Sequence, residues 1–230
     1  MLTAAAVCPH PPLIVPALAG AAAGELDELR DACAAAVRSL LAAEPDTLIV
    51  VGGADLPGSY PADASGTFAP WGVDVRVGDG DPVLPLSLTV GRWLLTQAGG
   101  EAGAFHAVPF DADPARCAAL GHELASAGER VALLVMGDGS ACLTEKSPGY
   151  LDPRARRFDD ALTEALTGAD RAALSALDPE EAAELWVAGR AAFQVLAGAA
   201  ETAPAMRGRL LHRAEPYGVA YTVVAWDRLS

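Results

Sequence analysis

The sequence predicts an α/β fold: a mostly parallel or mixed central sheet flanked by helices, in one domain spanning residues 1–230. Three observations carry that prediction. Strand-like and helix-like segments alternate along most of the chain. Two strands, Thr47 to Val51 and Val131 to Met136, are apolar without a break, as strands covered on both faces are. Both run straight into glycine-rich turns, Gly52-Gly53 and Gly137-Asp138-Gly139-Ser140.

Taken in order, Leu2 to Val7 reads as a first strand. Glu25 to Leu41 reads as a helix, because Leu26, Leu29, Cys33, Val37, Leu40 and Leu41 recur on one face. Pro45-Asp46 introduces the strand Thr47 to Val51. Residues 54–84, rich in Gly, Pro, Asp and Ser, predict a long loop with one β-like patch at Val73 to Val77. Leu86 to Gln97 is a helix and Ala104 to Val108 a strand. Asp113-Pro114 starts a helix running to about Ala127, with Asp as N-cap and Pro at the first helical position. After the strand Val131 to Met136, helices are predicted from Arg154 to Leu166 and, as one piece, from Asp178 to Ala200; Asp178-Pro179-Glu180-Glu181 opens the second with a capping-box-like acid. Leu210 to Arg213 and Val219 to Trp226 close the chain as a hairpin that adds antiparallel strands.

Composition restricts function. Sixteen basic against 30 acidic residues leave a net charge of −14, which repels phosphate backbones and anionic lipid, so nucleic acid and membrane surfaces are not expected partners. No apolar stretch reaches the roughly 20 residues of a membrane span. Four cysteines without a C-x-x-C pair, and no leader-like amino terminus, predict reduced thiols in a cytoplasmic protein. No internal repeat is visible.

In an open parallel sheet, ligands lie beyond the carboxyl ends of the strands. That geometry gathers three turns on one rim: the turn at His10, the turn from Gly52 to Asp55, and the turn from Gly137 to Ser140. His10 lies in Cys8-Pro9-His10-Pro11-Pro12, where the prolines limit backbone freedom and preorganise the imidazole for metal binding or proton transfer.

These turns, with four further segments, resemble the class III extradiol ring-cleavage dioxygenase superfamily, the LigB-like fold that also includes the Memo-like proteins. The family's Pro-His-Pro-Pro opening matches Pro9 to Leu13. Its Pro-Asp-strand-Ser-Pro-His-Gly segment resembles Pro45-Asp46 through Asp55, and its Phe-Gly resembles Trp71-Gly72. Its Ser-Gly-Asp-Leu-Ser-His segment resembles Met136 to Ala141. The following Gly-Tyr-x-Pro and Phe-Asp resemble Gly149 to Pro153 and Phe158-Asp159, and its last strand pair is echoed by Glu215-Pro216-Tyr217-Gly218-Val219-Ala220-Tyr221.

The resemblance implies an Fe(II) site of two histidines and a glutamate, open to a catecholate and dioxygen, with a further histidine for acid/base work. Carried over residue by residue, only His10 matches. The second ligand histidine falls on Ala54 and the acid/base histidine on Ala141. The glutamate falls near Trp186 to Gly189, which puts Val187 in its place, with Glu184 one turn earlier as a substitute. The expectation is a homologue that has lost its iron and binds a small molecule or a protein, with no cofactor. A metal-dependent oxygenase or hydrolase is the alternative, with His10, Asp55 and Asp138 holding Fe(II) or another divalent ion, and Ser140 and Glu145 on the same rim. A third reading, behind these two, is a subunit that self-associates or pairs with an intact homologue.

The remaining signals are weak. Cys8 and His10 share a strand face without a third ligand, and Cys8 reads as a small buried apolar residue. Pro57 and Pro61 oppose the helix that a phosphate loop after Gly52-Gly53 requires. Ser140 lacks both the nucleophile-elbow pattern and a base. His106, His122 and His212 read as surface or core-edge residues, and Lys146 as part of a solvated loop.

Overall fold

A computed structural model describes residues 1–229. The first strand, β1 (Leu2–Cys8), is buried throughout, and a 3-10 turn at Pro12–Ile14 carries the chain to a short α1 (Pro16–Ala19). A second 3-10 segment leads into α2 (Asp27–Ala42), which buries Leu29, Cys33, Val37 and Leu40 along one stripe. Then come β2 (Thr47–Ala54), β3 (Gly58–Pro61), the two-residue strands β4 (Gly66–Thr67) and β5 (Arg76–Val77), α3 (Leu86–Gln97) and β6 (Ala104–Pro109). The helix α4 (Pro114–Ala125) starts where predicted, with Asp113 accepting the Ala115 N–H at 2.8 Å. After β7 (Val131–Met136) follow α5 (Ala155–Thr167), α6 (Arg171–Ser175), α7 (Pro179–Glu184) and α8 (Arg190–Ala200). The hairpin β8 (Met206–Ala214) and β9 (Tyr221–Arg228) completes the fold.

Seven strands form one sheet in the order β3-β6-β2-β7-β1-β9-β8. The pairs β6-β2, β2-β7 and β7-β1 are parallel; β3 on one edge and the β9-β8 hairpin on the other are antiparallel, as the closing hairpin predicts. The sheet is mixed, with a parallel centre. In β7 the period of two sends Val131, Leu133 and Val135 to one face and Ala132, Leu134 and Met136 to the other, and both sets are fully buried. The first face packs against α4, α5 and α8, and the second against α2 and α3. Such double coverage is why these strands read as unbroken apolar runs.

Three expectations require correction. The predicted single helix from Asp178 to Ala200 is two helices, α7 and α8, because Trp186 turns into the left-handed region at φ 55° and the chain leaves the helix between them. The predicted loop 54–84 contains β3, an edge strand paired with β6, and the small β4-β5 ribbon. α6 lies where no helix is predicted, with Asp170 accepting the Ala173 N–H at 3.0 Å as its cap.

Among the described residues no helix is long and apolar enough to cross a membrane. All four cysteines are free and buried.

Candidate functional site

Because β1, β2 and β7 are parallel neighbours, their carboxyl ends meet at one level: Cys8 and Gly52 both pair with Met136. The turns at His10, Gly52–Asp55 and Gly137–Ser140 therefore leave the sheet side by side, as the topology predicts. The segment between α7 and α8 lies over them. Gly189 donates its N–H to the Asp138 carbonyl at 2.9 Å. A Cβ on Gly53 would stand 2.7 Å from the Ala188 carbonyl oxygen, and one on Gly137 would stand 2.7 Å from the Gly189 Cα. Gly53 and Gly137 thus leave room for the crossing segment that a side chain would obstruct.

His10 is 5% exposed. Its backbone N–H donates to Asp138 Oδ1 at 2.8 Å, and its ring Nδ1 lies 3.6 Å from the same oxygen, too long for a hydrogen bond. Nδ1 is thus buried without a hydrogen-bond partner. The charge of Asp138 also acts on Tyr221, whose phenol burial holds far above its usual range, and on the thiol of Cys33, pushed up by burial and by a hydrogen bond with Cys8.

The other candidates are not gathered around this pair. Asp55 is exposed, and so is Glu145. Ser140 is fully buried and committed to structure: its Oγ donates to the Leu185 carbonyl at 2.8 Å and accepts the Cys142 N–H at 3.1 Å, while its own N–H goes to Asp159. Ser140→Ala is expected to lower stability by about 1–2 kcal/mol by orphaning the Cys142 N–H; urea denaturation checks it. Glu184 ends α7 and its carboxylate accepts from Arg154 at 2.7 Å on the surface. Ala54, Ala141 and Val187 are all buried apolar residues.

Among the described residues, no three His, Cys, Asp or Glu side chains lie close enough together to hold a metal ion. Among the described residues the set of two imidazoles and a carboxylate that suits Fe(II) is absent, and the substitute set of His10, Asp55 and Asp138 is not assembled. The residues present do not fit that metal.

His106 lies in mid-strand, off the rim, with its Nδ1 3.1 Å from Ser59 Oγ across the β3-β6 pair; burial holds its imidazole below the usual range. His122 pairs with Glu201 at 2.7 Å on the surface. Beside the rim, where β6 ends and α7 gives way to α8, lies a cleft of about 570 Å³ lined by Phe110, Pro179, Ala183, Trp186, Val187 and Arg190. Sequence reading passes over it, because its walls come from the break inside the single helix expected there. Trp186 is the one signal that could have marked it, an indole 58% exposed in an otherwise small-residue segment.

Fold and rim define an α/β protein with a mixed sheet whose strand-end turns are closed by an interhelical crossing. No protein-family model matches the chain, and no curated protein matches it. Among solved structures, it is similar to the uncharacterized protein JW3007 from Escherichia coli K12, at 13% identity and a TM-score of 0.55, with 98% of this chain and 99% of that one covered. At that identity the likeness establishes the fold alone.

Proposed function

We propose that this chain is a divergent relative of the extradiol ring-cleavage dioxygenases that has exchanged its iron site for packing and acts as a binding protein. One observation carries the reading. Of the positions that the resemblance assigns to metal and proton chemistry, only His10 keeps a usable side chain, while Ala54, Ala141 and Val187 are methyl-bearing residues buried in the rim. Alanine and valine offer no lone pair, and a single imidazole beside a carboxylate holds Fe(II) far more weakly than a three-donor face does. The retained His10–Asp138 pair then orders the rim: the carboxylate that accepts the His10 N–H belongs to the residue whose carbonyl accepts Gly189, so one aspartate ties the β1 turn to the crossing segment.

Anaerobic Fe(II) titration with elemental analysis, on the purified protein and on His10→Ala, tests this. The expected result is no stoichiometric iron in either. One equivalent of tightly bound Fe(II), lost in His10→Ala, would overturn the reading and direct attention to catechols and dioxygen.

A further inference from the structure

We propose that the cleft beside the rim binds a small organic anion with an apolar body, a carboxylate whose charge meets Arg190 and whose hydrocarbon lies against Phe110 and Trp186. The proposal rests on the reading of the chain as a binding protein and names the ligand class.

Arg190 is 2% exposed, yet among the described residues no carboxylate forms an ion pair with it. Its Nη1 donates to the Ala112 carbonyl at 2.6 Å and to Gln194 Oε1 at 2.9 Å, and its Nη2 donates to the Phe110 carbonyl. Nε is buried with no partner. A guanidinium carries five N–H donors, so Nε–H and one Nη2–H remain unclaimed, and no anion among the described residues balances its charge. The three acceptors are neutral dipoles; they hold the group in place without cancelling its charge.

The position of the charge sharpens the case. Arg190 is the first residue of the eleven-residue α8, where the helix dipole is positive and favours an anion. A buried cation at that end adds to the same potential. Buried charges without a counter-ion are costly, and an incoming anion removes that cost. Exposed Asp111 and Glu180 also line the cleft, but in contact with water they are screened, whereas Arg190 is not. The rest of the lining is mostly apolar, and Trp186 and Phe110 are 58% and 43% exposed. A fixed buried charge in a cleft that also exposes two aromatic rings suits a ligand with one anionic end.

The probe is 3-phenylpropionate, compared with its neutral amide, by calorimetry and tryptophan fluorescence on the intact protein. The acid is expected to bind about tenfold or more tightly than the amide. Arg190→Gln removes that preference. Ala183→Phe, at an exposed position on the cleft wall, weakens the acid by about tenfold or more while leaving the melting temperature near that of the parent, so the test stands even if Arg190→Gln does not fold. Equal affinity of acid and amide, no saturation by either, or undiminished binding in Ala183→Phe would each overturn the proposal. The iron titration on the same preparations separates the two readings. Stoichiometric Fe(II) overturns the binding-protein reading, whereas a protein free of iron that shows no preference for the acid overturns only the ligand class.

Discussion

Gly121→Ala is expected to destabilise the protein by about 3 kcal/mol, although alanine in a helix interior ordinarily gains about 1 kcal/mol over glycine. The sign is decided by what the new methyl meets. A Cβ on Gly121 in α4 would stand 2.2 Å from the Val195 carbonyl oxygen and 2.5 Å from the Ala199 nitrogen of α8. The contact is reciprocal, since a Cβ on Gly198 of α8 would stand 2.5 Å from the Ala118 carbonyl oxygen of α4. These are backbone atoms in helices, which cannot rotate away as a side chain can, so the two helices must separate or tilt. Separation would reach Leu196 and Val195, which are fully buried beneath the sheet. Gly198→Ala should cost a similar amount. The double variant should cost less than the two together, because helices already apart for one methyl have room for the other. Urea denaturation checks all three, with Gly24→Ala as control, where the nearest atom to a new Cβ is 3.8 Å away. A Gly121→Ala variant within about 1 kcal/mol of the parent would mean that the helices are not seated backbone to backbone.

The fold was legible where a local signal and the tertiary environment agree. β1, β2 and β7 are covered by helices on both faces, and that demand is written into the sequence as apolar runs ending in glycine. The rim followed, since parallel neighbours bring their ends together. The break between α7 and α8 was hard to read because Ala, Glu and Leu favour helix on both sides of it, and Trp186 to Gly189 offers a single glycine as a local stop signal. Only tertiary bonds select the break: Leu185 accepts from Ala141 and Ser140, and Gly189 donates to Asp138. Edge strand β3 was hidden by its own composition, since Gly58-Ser59-Tyr60-Pro61 looks like a turn until β6 supplies the ladder. His10 and Asp138 could be brought together from the sequence as strand-end residues. Arg190 could not, because an arginine in a helix reads as solvated; its burial depends on the β6–α4 turn, whose carbonyls at Phe110 and Ala112 it holds.

Asp159 should make the protein lose stability as the pH rises from about 4 to about 6, the opposite of what a salt-bridged carboxylate does. Asp159 is 1% exposed on α5, and burial pushes its carboxyl up to about 6. The Ser140 N–H given to Oδ1 at 2.8 Å and the Arg213 charge favour the ionised form, while Glu215 and Asp160 oppose it; desolvation outweighs them. Oδ2 is buried with no partner, which is where a proton would sit. Below about pH 4 the group is protonated in both folded and unfolded chains. Between that point and about pH 6 the unfolded chain releases its proton while the folded one retains it, so the unfolded state binds fewer protons and stability falls. Above the folded value the penalty is fully developed, at about 3 kcal/mol. Asp159→Asn keeps an oxygen for the Ser140 N–H and cannot ionise. Its stability should therefore lack this decline and exceed that of the parent at pH 7 by about 1–3 kcal/mol, the lower part of that range allowing for an amide N–H2 placed where Oδ2 now finds no partner. Denaturation midpoints of both proteins across pH 4 to 7 decide it: parallel curves would show that Asp159 ionises at an ordinary pH, and convergence toward pH 4 with separation toward pH 7 would identify it as the group that titrates.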